Sequence, residues 1–370
     1  MIWPVLSLIL VGFAIACPMT AVMRAVGLRL RALDSPGAKG HVKVLRPIPN
    51  TGGVAIFLAV AAPMLGGIAA VILVPGEQWG AWLPPLEQHL PRLGETLPTA
   101  IALLACLLAL HLTGVVDDRR SLGPFIKLGV QVAAAAVMTI WFEVRLLELL
   151  GPAPSVLITI AWIVVITNAI NFLDNMDGLA GGVSAIAASF LLAATLLNQQ
   201  WFIAAVLALL VGGLIGFLVF NFPPAKIFMG DGGSLVIGFL LAVLTARTTF
   251  LHEGLGGGWY GVFMPVVVLA IPLYDFTSVT LIRLRQGKSP FVGDQQHFSH
   301  RLVERGLSKR GAVILIWALT AVTGVGGVSL GRLEAWQAGL VFGQTGLVIL
   351  AIVILEHASR HAKGRSGASA

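Results

Sequence analysis

A chain of 370 residues with 57% hydrophobic and only 11% charged residues, and a mean hydropathy of +0.91, does not read as a water-soluble globular protein. Soluble domains carry roughly 25% charged residues. The net charge of +7 is scattered between apolar runs, which argues against nucleic-acid binding and for a membrane-orientation signal. The two cysteines, Cys17 and Cys106, both lie inside apolar runs and read as small packing residues.

Crossing a hydrocarbon layer of ~30 Å takes about 20 apolar residues. Eleven runs qualify: 2–23, 52–74, 98–116, 125–142, 154–173, 179–197, 201–220, 234–250, 259–282, 312–331 and 336–356. The expected fold is all-α, a polytopic membrane protein of about eleven transmembrane helices. It forms one multi-span domain over 1–357, followed by a basic, disordered tail over 358–370. The first run has no basic segment before it and reads as a retained helix.

Twenty of the 24 lysines and arginines fall on one face, in loop 24–51, the 117–127 turn, Lys226, loop 283–311 and the tail. Arg92, Arg145, Arg247 and Arg332 fall on the other. Basic residues mark the cytoplasmic side, so the N-terminus is expected outside and the C-terminus in the cytoplasm. All eight aspartates (Asp34, Asp117, Asp118, Asp174, Asp177, Asp231, Asp275 and Asp294) lie in cytoplasmic loops or the cytoplasmic half of a span, while glutamates are mostly outside. Acidic residues contribute little to topology. A one-sided aspartate set needs another cause, and a cytoplasmic active site supplies one.

In chain order, the loop Asp34–Gly53 is rich in proline, glycine and basic residues, and Gly52-Gly53 let its backbone pass close to a neighbour. Loop 75–97, with Trp79 and Trp82, reads as an interfacial anchor. Span three ends in Asp117-Asp118-Arg119-Arg120, where carboxylates oppose the helix dipole; a bound cation would neutralise them. Lys127 opens span four, as a phosphate partner or a snorkelling lysine.

The stretch Asn168–Gly182 (NAINFLDNMDGLAGG) gathers Asn168, Asn171, Asp174, Asn175 and Asp177 where a span meets water. Capping accounts for Asp177 and Gly178 but not for the rest, so the stretch reads as a site. Span seven, with Gly212 and Gly216 at helix-packing spacing, ends at Asn221-Phe222-Pro223-Pro224. Phe228–Ser234 then opens span eight with glycines and backbone N–H groups suited to an anion. Asp275 is an intramembrane carboxylate. From Gln295 the loop 283–310 gains helical character, with His297 and His300 at i, i+3 as donors to phosphate or sugar.

Asp117, Asp118, Asp174, Asp177 and Asp231 thus come from three helix junctions to one depth. Without a cation they would repel, so Mg²⁺ with a phosphorylated substrate is expected. A cation-coupled transporter is the rival class, but its carboxylates usually sit near the membrane midplane.

From Asp34 to about Arg310 the chain resembles the polyprenyl-phosphate N-acetylhexosamine-1-phosphate transferases. Four blocks carry the resemblance: Asp34, Pro36, His41, Pro47, Pro49, Gly52 and Gly53; Asp117-Asp118 with Lys127; Asn168–Gly182; and Asn221–Ser234. A fifth, His297-Phe298-Ser299-His300-Arg301-Leu302, is similar to the H-x-H-H-R-L of the GlcNAc-type branch, with Ser299 in place of the middle histidine.

The resemblance implies transfer of a sugar 1-phosphate, GlcNAc-1-phosphate, from a UDP-sugar to undecaprenyl phosphate, releasing UMP and starting a cell-envelope glycan. The alternative within the family is the UDP-MurNAc-pentapeptide branch. It further implies Mg²⁺, with Mn²⁺ as a substitute, held by Asp231 and the Asn171 oxygen. Asp177, Asn221 and Phe228 form a uridine pocket, with His41 and Asn168 as further substrate contacts, and Lys127 meets the pyrophosphate. Asp117, Asp118 and Asp174 are catalytic carboxylates; His297, His300 and Arg301 form the sugar-phosphate loop. The implied setting is the bacterial inner membrane, with the active site on its cytoplasmic face and a homodimer as an allowed assembly.

Overall fold

A computed structural model describes residues 1–33, 46–75, 78–79, 90–248, 258–289 and 296–366. Among them the regular structure is helical, with two isolated backbone bridges and no strand. The helices are α1 (Ile2–Arg29), α2 (Gly52–Leu73), α3 (Leu90–Asp117), α4 (Pro124–Ala136), α5 (Pro152–Leu173), α6 (Leu179–Leu197) and α7 (Trp201–Asn221). They continue with α8 (Asp231–Arg247), α9 (Met264–Val268), α10 (Ala270–Arg285), α11 (Phe298–Glu304), α12 (Lys309–Ser329) and α13 (Ala335–Ser366).

Nine helices among the described residues are long and apolar enough to cross a membrane, and ten if the bent pair ending in α10 counts as one span. The remaining expected run is α8, at 17 residues. The all-α, multi-span expectation therefore stands.

Three details differ from the periodicity. First, α3 starts at Leu90, inside the stretch read as an outer loop. Second, the run 259–282 is not one straight helix but bends by 68° between Val268 and Ala270. Pro272 explains the bend: it has no N–H for the Val268 carbonyl and its ring crowds that group. Third, the helical backbone of α13 runs on to Ser366, into the segment expected to be a disordered tail.

Burial separates helices that composition does not. α6 and α7 are 72% buried over their apolar windows, against 22% for α1 and 17% for α13. In α8 every residue from Gly232 to Ala246 is buried, so this short helix is the centre of the bundle. Gly212 and Gly216 do pack closely: a Cβ at Gly212 would lie 2.0 Å from the Ile9 carbonyl oxygen of α1.

Because successive helices reverse direction, the ends of α3, α5 and α7 meet the starts of α4, α6 and α8 at one face. The segment before α2 is stitched there by backbone bonds. Phe228 N–H donates to the Pro49 carbonyl (2.8 Å), Gly52 N–H to the Phe228 carbonyl (2.8 Å), and Gly53 N–H to the Met229 carbonyl (2.9 Å).

Candidate active site

At that face the end of α3 meets the start of α8. A Cβ on Gly114 would lie 2.4 Å from the Asp231 carbonyl carbon, so only glycine allows this approach. Asp231 opens α8, where a carboxylate complements the helix dipole. Lys127, from the first turn of α4, joins the two elements, donating to Asp231 Oδ2 at 2.7 Å and to Asp117 Oδ2 at 2.9 Å. Asp117 Oδ1 also accepts the Leu122 N–H (2.8 Å). Asn171, in the last turn of α5, donates to Asp231 Oδ1 (2.9 Å) and to the Ser234 hydroxyl (2.8 Å).

Asp118 sits behind this row. Its Oδ1 accepts from Asn50 Nδ2 (2.9 Å) and the Asp231 N–H (3.0 Å), and its Oδ2 accepts the Gly232 N–H (3.3 Å). Gly230 makes this possible: its φ is +65°, and a Cβ there would lie 2.3 Å from Asp118 Oδ2. Burial, then the neighbouring Asp231 carboxylate, push the Asp118 pKa up to about 7 against the pull of those donors. Beneath the cluster, Asn168 donates to Gln131 Oε1 (2.5 Å) and to the Val164 carbonyl (2.8 Å), closing the α4–α5 seam.

Asp177 belongs to a second group. It is clamped by both Arg46 guanidinium nitrogens, one at 3.0 Å, and its Oδ2 accepts the Ala225 N–H (2.9 Å). Burial pushes its carboxyl up, but Arg46, Ala225 and the charge of Lys309 outweigh that and hold it below the usual range. The same guanidinium lies over the Phe228 ring, 4.7 Å from its centroid. Asn221 shapes the floor, accepting the Gly178 N–H (2.9 Å) and donating to the Ile227 carbonyl (2.8 Å).

The histidine loop forms the third group. His297 immediately precedes α11 and Ser299 donates to Asn175 Oδ1 (2.5 Å), pinning α11 to the α5–α6 turn that carries Asp174 and Asp177. Burial, then His297, lower the pKa of His300, with the Asn175 carbonyl opposing, so its ring is neutral at pH 7. Arg301 turns away from the carboxylate cluster. Its Nε and Nη2 donate to Glu356 Oε1 of α13 (3.0 and 2.7 Å), Nη2 also to the Ser278 hydroxyl (3.0 Å), and Nη1 to the Gln296 carbonyl.

The structure thus gathers Asp117, Asp118, Lys127, Asn171 and Asp231 into one contact network, with Asn168 beside it. It sets Asp177, Asn221 and Phe228 together, and brings the loop of His297 and His300 against the turn that carries Asp174. His41 lies outside the described residues. Sequence reasoning did not single out Arg46, Asn50, Gln131, His111 or Glu356. Arg46 counted only as a basic loop residue, and His111 was one polar residue in an apolar run. His111 Nδ1 faces the Gly232 carbonyl at 2.8 Å, so it carries the hydrogen, and its ring stacks on Phe57 at 4.5 Å.

Among the described residues no three His, Cys, Asp or Glu side chains converge as a ready metal cage. Mg²⁺ rarely needs one, since it keeps waters and takes one or two carboxylates plus substrate phosphates. Asp231, Asp117 and the Asn171 carboxamide are hard-oxygen donors of that kind, so the donor set fits. Turning the Asn171 amide would bring its oxygen to the Asp231 side.

The profile of the family described as "Glycosyl transferase family 4" matches residues 100–249. The chain is 30% identical over 329 residues to a protein of Bacillus subtilis (strain 168) named "Probable undecaprenyl-phosphate N-acetylglucosaminyl 1-phosphate transferase", covering 86% of this chain and 82% of that one. It is 30% identical over 380 residues to the decaprenyl-phosphate N-acetylglucosaminephosphotransferase of Mycolicibacterium smegmatis, covering 95% and 88%. To the undecaprenyl-phosphate alpha-N-acetylglucosaminyl 1-phosphate transferase of Escherichia coli (strain K12) it is 30% identical over 244 residues, covering 61% and 64%.

Proposed function

Because this chain belongs to glycosyl transferase family 4, we propose that it transfers N-acetylglucosamine 1-phosphate from a UDP-sugar to undecaprenyl phosphate. An oxygen of the lipid phosphate attacks the β-phosphorus of the UDP-sugar. The bond to the α-phosphate oxygen breaks, UMP leaves, and a polyprenyl diphospho-sugar remains in the membrane. The observation that carries this reading is the network of Asp117, Asp118, Asp231, Asn171 and Lys127 at one end of a membrane bundle. Phosphoryl transfer asks chiefly for positioning and charge stabilisation, and charged groups at a membrane boundary suit a donor from water and an acceptor from lipid.

In this reading Lys127 donates to the pyrophosphate once it releases a carboxylate. Asp117 and Asp118 hold the acceptor phosphate in line and take up its proton, and Asp174 supports them. The Phe228 ring stacks the uracil on the face away from Arg46, while Asp177 and Asn221 fix its edge. Asp231 and the Asn171 carboxamide would hold Mg²⁺, or Mn²⁺ in its place, which neutralises charge on the pyrophosphate when bound. His297 and His300 meet the sugar phosphate.

The twenty-to-four division of basic residues supports a cytoplasmic site in the inner membrane, with the N-terminus outside. Cysteine at Ser289 should be protected from an impermeant label in intact cells and cysteine at Asn198 labelled; the reverse pattern inverts the topology. The activity test is UMP release in detergent, with undecaprenyl phosphate and a panel of UDP-sugars that includes UDP-MurNAc-pentapeptide. UDP-GlcNAc should be turned over with loss on chelation. A folded protein that releases UMP from none of them is not this enzyme.

A further inference from the structure

Asp275 has the lowest exposure of any carboxylate among the described residues, at 0%. A carboxylate in a membrane helix is costly unless both oxygens are engaged. Here both are. Oδ2 meets His297 Nδ1 at 2.9 Å, and Oδ1 accepts the Phe298 N–H, the first of α11, at 2.6 Å. An ionised carboxylate only accepts, so Nδ1 carries the hydrogen and Nε2 is the nitrogen left for a ligand. The ring is steadied by Phe172 of α5, whose ring it meets edge-on at 5.9 Å, two residues before Asp174. The Ser299–Asn175 bond holds the next turn to the same loop.

We propose that Asp275 is a positioning residue for the transfer. It fixes the His297 ring with Nδ1 as donor and aims Nε2 at the sugar-phosphate end of the substrate. The proposal rests on the transferase reading for its catalytic consequence, but not for the geometry. It accounts for an acid on α10, far along the chain from the other carboxylates, that the transfer chemistry does not otherwise use.

Asp275→Asn is the discriminating variant. Its amide oxygen can still accept the Phe298 N–H, while its NH₂ faces His297 and forces the hydrogen onto Nε2. The kcat for UMP release should fall about 10²-fold, the scale at which supporting partners of a functional histidine act, with KM for the UDP-sugar within about threefold. In a His297→Ala background, adding Asp275→Asn should cost no more than about twofold, because the two act as one unit. An equal loss in both backgrounds would mean that Asp275 only supports the fold, and would overturn the proposal.

Nitrogen-15 NMR of histidine-labelled protein, with His297 assigned through His297→Gln, gives a readout that needs no substrate. Wild-type His297 should be protonated at Nδ1, and a wild-type ring protonated only at Nε2 overturns the proposal. Absence of UMP release from the wild type would overturn the functional reading instead, leaving the tautomer measurement intact.

Discussion

The carboxylate cluster and the histidine loop lie at the same end of the bundle, yet they handle charge in opposite ways. In the cluster, Asp117 and Asp231 share the single ammonium of Lys127, while burial, and then the neighbouring Asp231 carboxylate, raise the Asp118 pKa to about 7. Against the loop, the two buried acids that face it are matched. Asp275 receives His297 and the Phe298 N–H, and Glu356 receives Arg301. An unbalanced set of carboxylates gains from a cation and the phosphates it brings, whereas a balanced set holds a shape without one. The first region takes up ligand charge; the second keeps its side chains ready.

The largest effect should come from removing the cluster's central acid. Asp231→Asn should lower UMP release by about 10³-fold or more at saturating Mg²⁺, since metal-assisted stabilisation amounts to several kcal/mol. The variant should remain folded. Turnover within threefold of wild type would end the contrast.

Lys127→Met ranks next. It leaves the half-buried Asp117 and Asp231 without their shared cation, so the two carboxylates repel each other and the neighbouring Asp118. Turnover should drop about 10²-fold, in keeping with lost charge stabilisation. The unfolding temperature in chelator should fall and recover on adding Mg²⁺. Failure to recover would mean that no cation enters the cluster.

The loop should respond more mildly. Glu356→Gln weakens the anchor on Arg301 and should reduce turnover about three- to tenfold, with faster hydrogen exchange in α11. Arg301→Lys should match it, because lysine cannot reproduce the forked contact. A dead Arg301→Lys beside a silent Glu356→Gln would instead put Arg301 on the substrate, as the family resemblance implies.

The smallest effect is on stability against pH. The folded Asp118 pKa of about 7 exceeds its ordinary 3.8, so between these values the folded state binds the extra proton. Its contribution to metal-free stability therefore declines as pH rises through that window. Asp118→Asn lacks this term. The variant should gain a few degrees over wild type between pH 4 and pH 7, measured by thermal unfolding in chelator. A constant difference across that range would remove the charge-crowding argument.

Much of the cluster was legible because its logic is local. Asp117-Asp118 at a helix C-terminus and Asn171 one turn from a helix end are costly where they stand, and Asp231 stands out behind a glycine at a helix start, all visible without a fold. The clamp on Asp177 was not legible, because Arg46 lies 131 positions away and looks like any other basic loop residue. Nor was Arg301 turning to Glu356, 55 positions on: an arginine beside two histidines in a basic loop gives no sign that another helix supplies its partner.

The sequence by itself determined that the chain is an all-helical, multi-span protein, where most of the long helices begin and end, and that acids gather at helix junctions. The thickness of the hydrocarbon and the rarity of charge within it leave few other readings. Only the tertiary structure decided that the 17-residue α8 is the centre, that the segment near Asp275 bends by 68°, and which acid meets which base. A side chain facing lipid and one facing another helix are equally apolar, so composition cannot rank helices by depth. Pairings between distant residues exist only once the helices have packed.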